Sequence, residues 1–125
     1  MSYKFNKLYD YPRSMRTLVG GKRHYDIREE KLPSVTTILS ACQSDEKKAS
    51  LEAWRQRLGP KTADVQRDLA AERGTAMHRF LEAHIDGSGH KDLTPLGVQA
   101  ETMAHKIIES GLRDLEEVWG QEVTL

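Results

Sequence analysis

Apolar residues recur along this chain at two spacings, every second residue near the ends and every third or fourth residue in between. Met15-Arg-Thr-Leu-Val19 and Lys22-Arg-His-Tyr-Asp-Ile27 flank Gly20-Gly21, a pair suited to φ > 0 at both centres of a tight turn, which predicts a two-stranded hairpin. Such a hairpin is marginal alone and must pack on something else. In Ser34-Val-Thr-Thr-Ile-Leu-Ser-Ala-Cys42 the β-branched start favours a strand, whereas the spacing of Val35, Ile38, Leu39 and Cys42 favours a helix. We read a short helix with Ser34 as N-cap and Cys42 as a small, half-buried helix residue.

Ser44-Asp45-Glu46 starts the next helix and Gly59-Pro60 stops it, with Leu51, Trp54 and Leu58 on one face. From Thr62 a longer stripe runs through Leu69, Ala76, Met77, Phe80, Leu81 and His84 to the turn Asp86-Gly87-Ser88-Gly89. Thr94-Pro95 opens a further helix by cap and N1 proline, its stripe being Leu96, Ala100, Met103, Ala104, Ile107 and Ile108, and Ser110-Gly111 ends it. After Gly120 the alternation returns, with Glu122 and Thr124 on one face and Val123 and Leu125 on the other. A terminal strand there needs a partner, from the hairpin or from outside the chain. The pattern predicts a helix-rich α+β fold: an N-terminal β-hairpin, three to four helices and a terminal strand.

A length of 125 residues suits one domain over 1–125. Leu, Ile, Val and Phe together make only 26 of these residues, which predicts a thin core. No apolar run approaches the roughly 20 residues of a bilayer span and the N-terminus lacks a secretory h-region, so we expect a cytoplasmic protein with no membrane partner. The single cysteine excludes an internal disulfide and a Cys-based zinc module. The zero net charge hides an asymmetry: residues 1–62 carry +6 and residues 63–125 carry −6, so a basic N-terminal half can face phosphates.

Candidate chemistry concentrates in Glu72-Arg-Gly-Thr-Ala-Met-His-Arg-Phe-Leu-Glu82. Gly74 costs a helix about 1 kcal/mol relative to alanine and calls for a reason, such as a close backbone approach or a helix break. His78 and Glu82 are one turn apart and share a face, suited to a divalent metal or a water, although such pairs are more often ordinary boundary contacts. His84 and His90 complete no zinc pattern, and His84 reads as core or boundary. No phosphate-cradling glycine loop and no Ser or Cys nucleophile signature occurs. The hydroxyls of Ser34, Thr36 and Thr37, with Lys47, Lys48, Arg55 and Arg57, suit a nucleic-acid backbone, against the plainer reading of capping and solvation.

Taken in order, Leu32-Pro-Ser-Val-Thr-Thr-Ile-Leu39, Leu51-Glu-Ala-Trp-Arg55 and Ala71-Glu-Arg-Gly-Thr-Ala-Met-His-Arg-Phe-Leu-Glu82 resemble the N-terminal half of RecB-like exonucleases of the PD-(D/E)XK superfamily. The resemblance is to the phage and mitochondrial genome maintenance type and covers roughly residues 16–125. It implies a metal-dependent deoxyribonuclease lineage that hydrolyses phosphodiesters at DNA ends or in single strands, in phage replication or recombination and hence in a host cytoplasm. It further implies that His78 reaches a Mg2+ or Mn2+ site, that Glu122 is an acid of that site opening the central sheet, and that Ser34, Thr36, Thr37, Lys47, Lys48, Arg55 and Arg73 line the DNA path.

In these families the metal-binding Asp and the Asp/Glu-x-Lys signature lie on later strands, which this chain does not reach before Leu125. Its own candidates are placed elsewhere, Glu29-Glu30-Lys31 in a loop and Asp45-Glu46-Lys47 at a helix start. One histidine and one glutamate do not make a well-populated magnesium site. We therefore expect a catalytically incomplete part of an unfinished PD-(D/E)XK sheet, completed by a second chain or by self-association. The alternatives are a non-catalytic nucleic-acid-binding or regulatory module derived from such a nuclease, and a small helical interaction protein.

Overall fold

The computed structural model describes residues 3–124. Among them the chain is α+β, with four helices and five short strands. It gathers into two compact units, one of residues 1–8 and 59–121 and the other of residues 9–58 and 122–125. No helix among the described residues is long and apolar enough to cross a membrane.

The first unit is built on α3 (Pro60–Asp86) and α4 (Pro95–Gly111). Pro60 at the first position pre-sets φ for α3, and Gly87 at φ 77° ends it in the left-handed conformation. Thr94 caps α4, its Oγ1 accepting the Gly97 N–H at 3.0 Å. The expected stripes meet in part: Ala76 and Phe80 of α3 pack with Ala100 and Ala104 of α4, flanked by Met77 and Leu81, whereas Leu69, Met103 and Ile107 stay exposed. Ala100 and Ala104 are sealed at 0% and 1% exposure, because alanines bring the helices close and Phe80, with Met77 and Leu81 at its sides, fills the seam. The ends of the unit are tied by a parallel pair, β1 (Lys4–Phe5) on β5 (Glu117–Val118), extended by Asn6 N–H to Val118 O at 2.9 Å. Beside it, Tyr3 OH donates to Leu112 O at 3.2 Å and lies 3.2 Å from His84 Nε2, so His84 is a boundary residue.

The second unit holds a three-stranded antiparallel sheet, β2 (Met15–Val19), β3 (Lys22–Ile27) and β4 (Glu30–Pro33), followed by α1 (Val35–Ala41) and α2 (Asp45–Leu58). The Gly20-Gly21 hairpin forms as expected, with Val19 opposite Lys22 and positive φ at both glycines. A second two-residue turn, Arg28-Glu29, also has positive φ at both centres and pairs Ile27 with Glu30. Arg and Glu are not the residues such turns favour, which is why this third strand escapes the sequence pattern and Glu29-Glu30-Lys31 is turn and strand rather than loop. Ser34 caps α1 and Ser44 caps α2, and Cys42 lies just past α1, exposed rather than half-buried.

The terminal strand is also corrected. β5 precedes Gly120 and pairs with β1, not with the hairpin. Residues 121–124 form no strand, and Glu122 has φ 52°, in the left-handed region, outside extended geometry.

Candidate nucleic-acid interface

The residues expected to meet DNA fall mostly in the second unit. Ser34 is buried at 7% exposure, and its Oγ accepts the Thr37 N–H at 3.1 Å. Thr37 Oγ1 donates to Arg23 O at 2.9 Å, which commits its proton, so the Ser34 hydroxyl donates across the 2.9 Å to Thr37 Oγ1. Ser34 N–H also bonds Arg23 O, at 3.1 Å. These two hydroxyls thus fasten the start of α1 to β3, and of the three only Thr36 is exposed.

Around this anchor lies a groove of about 400 Å³ lined by Lys22, Thr36, Thr37, Ser40, Ala41 and Lys48. Two ammonium groups and three hydroxyl-bearing residues facing one hollow, with no acid among them, make a polar surface of positive sign, suited to a phosphate oxygen. A neighbouring hollow of about 480 Å³ shares Ser40 and reaches Lys47. Lys22 is absent from the residues expected for DNA contact, because it stands 14 residues before Thr36 and only the pairing of β3 with β4 returns α1 to it. A cation directly after a hairpin turn was the available signal. Arg55 is half-buried late in α2. Arg73 is half-buried on α3, in the other unit.

The two expected metal ligands are divided between the units. His78 is exposed on α3 in the first unit, whereas Glu122 belongs to the second. Among the described residues no group of three or more His, Cys, Asp or Glu side chains could hold a metal ion. Glu117 on β5 has a carboxylate oxygen shut off from solvent with no hydrogen-bond partner among the described residues, yet it has no second and third ligand beside it. The residues present therefore do not fit a Mg2+ or Mn2+ centre by themselves. Gly74 also lacks the expected cause, since a Cβ there would meet nothing within 4 Å and α3 runs through it unbroken.

The first unit has its own hollow, about 590 Å³, between α3 and the 87–94 connection, where Arg79, His90 and Lys91 mix with Glu72 and Asp92. Asp92 is engaged there: its Oδ1 accepts the Thr94 hydroxyl at 2.6 Å and the Thr94 N–H at 3.0 Å. Those bonds, with His90 and Arg79 nearby, hold its carboxyl below the usual range. With Asp92 serving the α4 cap and both signs present, this hollow lacks the one-signed character of the Lys22–Lys48 groove. No protein-family model matches the chain, and neither a curated protein nor a solved structure matches it.

Proposed function

We propose that this chain is the DNA-contacting part of a metal-dependent exonuclease of the RecB-like PD-(D/E)XK kind, binding single strands or ends and not cleaving by itself. The observation that carries the binding half of this reading is the Lys22–Lys48 groove, where Thr36, Thr37 and Lys48, singled out by sequence, come together with Lys22. The nuclease half rests on the order of the Pro-Ser-Val-Thr, Leu-Glu-Ala-Trp and Gly-Thr-x-x-His segments. In this reading His78 and Glu122 are ligands that act only beside strands bearing the Asp and Asp/Glu-x-Lys carboxylates, on a second chain or a further segment. Mg2+ or Mn2+ held there would polarise the phosphate and activate water.

The test is binding and degradation of end-labelled single-stranded DNA by the purified chain, with magnesium or manganese present. Expected are salt-sensitive binding, weakened by Lys22→Glu and Lys48→Glu, and no cleavage. Cleavage abolished by His78→Ala would overturn the incompleteness. Absence of binding at low salt would overturn the DNA-contacting reading itself.

The non-catalytic module shares the groove and differs in one outcome. Supplying the missing strands in trans restores cleavage for the nuclease part and does nothing for the module.

A further inference from the structure

One face of the three-stranded sheet carries a composition that neither the groove nor the metal reading uses. Cross-strand partners share a face, and successive residues alternate faces. The pairs Arg16–Tyr25 and Tyr25–Leu32 therefore put an aromatic ring on the central strand between an arginine and a leucine. The pair Leu18–Arg23 adds a second arginine one step along, and Ile27–Glu30 closes the other end. The edges of this face are open, with Leu18 66% and Leu32 43% exposed and Arg16 exposed as well, and Arg23, Tyr25 and Ile27 along its middle are half-buried. The opposite face, with Thr17, Lys22, His24, Asp26 and Lys31 in register, carries no Phe, Tyr or Trp side chain.

We propose that the Arg16–Tyr25–Arg23 face is a base-stacking platform for single-stranded nucleic acid. The half-buried Tyr25 ring, set among Leu18, Ile27 and Leu32, offers its accessible part as a dry surface to a base of any identity, and the guanidinium groups beside it neutralise the adjacent phosphates. The charges set a polarity, since both arginines lie at or before Tyr25 while Glu30 stands at the far end, so the phosphates track the Arg16 and Arg23 side. A duplex, whose bases are already stacked and paired, has no free ring face to offer. The platform deepens the DNA-contacting reading and rests on it. Because Lys22 and Tyr25 belong to opposite faces, a strand using both turns around the Gly20-Gly21 end of the sheet, which only longer oligonucleotides can do.

The test uses the full chain with oligo(dT) of about 20 nucleotides, an abasic strand of equal length and a duplex. Tyr25→Ala and Arg16→Ala should weaken oligo(dT) binding on the order of 10-fold, with Tyr25→Phe near wild type and Tyr25→Ala changing abasic-strand and duplex binding little. A 5-iodouracil strand should photocross-link to Tyr25 in the unaltered protein, a readout independent of how any variant folds. Unchanged oligo(dT) affinity in Tyr25→Ala alongside loss in Lys48→Glu would sink the platform and leave the groove standing. Equal loss on the abasic strand, or a cross-link placed elsewhere, would also overturn it, and the face would then be a protein contact. No salt-sensitive binding by the unaltered chain would overturn both.

Discussion

Two glycines inside helices show how the surroundings of one residue decide its energetics. At Gly74 a Cβ would meet nothing within 4 Å, so Gly74→Ala should stabilise the protein by about 1 kcal/mol through helix propensity. At Gly97 a Cβ would collide with the Asp92 side chain, which is bonded to Thr94, so Gly97→Ala should destabilise by about 1–3 kcal/mol. Opposite shifts in denaturant midpoint check the pair, and a shift of the same sign would show that one site is misread. Asp92 adds a pH dependence. Its carboxyl is depressed in the folded chain by the Thr94 hydroxyl and N–H, and then by His90 and Arg79. Its contribution is therefore complete above the unfolded value and fades as pH falls through the lower folded one, below about pH 4. Helicity followed from pH 5 downward should decline less steeply in Asp92→Asn, whose amide does not titrate.

Among the elements, the β3–β4 connection is the least suited to its conformation. Arg28 at φ 49° and Glu29 at φ 72° occupy the left-handed region without the Asn-Gly or Gly-Gly chemistry that the first turn has. Exchanging them for Asn and Gly should stabilise the sheet by roughly 1 kcal/mol, read as a rise in melting temperature with β2–β4 pairing unchanged. A fall would mean that Arg28 or Glu29 makes contacts worth more than the strain. Helix α2 sits at the other extreme. Its caps and charges are well arranged, with Asp45 and Glu46 in the first turn and Arg55 and Arg57 in the last, yet it buries no residue. Leu51, Trp54 and Leu58 stay exposed along its apolar face.

At the scale of the molecule, burial is unequal. The buried hydrophobic residues Ala63, Ala76, Phe80, Ala83, Ala100, Ala104 and Val118 all belong to the first unit, and the buried residue described in the second is Ser34. Local opening follows apolar burial, so the amides of β2, β3 and β4 should exchange with deuterium well before those of the α3–α4 seam. Single-stranded DNA should slow the former alone. Faster exchange in the seam would contradict this order, and DNA protection confined to the seam would move the interface to the first unit.

Sequence by itself determined the pieces whose causes are local: the Gly20-Gly21 hairpin, the Ser34, Ser44 and Thr94 caps, the Gly59-Pro60 end of α2, the Pro95 start, the Gly87 stop and the central part of the apolar stripes of α3 and α4. Each depends on neighbours within one turn or one hairpin, which the order of residues displays directly. The tertiary structure alone decided where distant segments meet. It set β5 beside β1 across more than one hundred residues, placed Glu122 outside any strand and assigned His78 and Glu122 to different units. It also brought Lys22 to Lys48 and stood Tyr25 between Arg16 and Leu32. Those outcomes depend on strand pairing and on which surfaces find a partner to bury, quantities that belong to the assembled chain and have no signature in a short window of sequence.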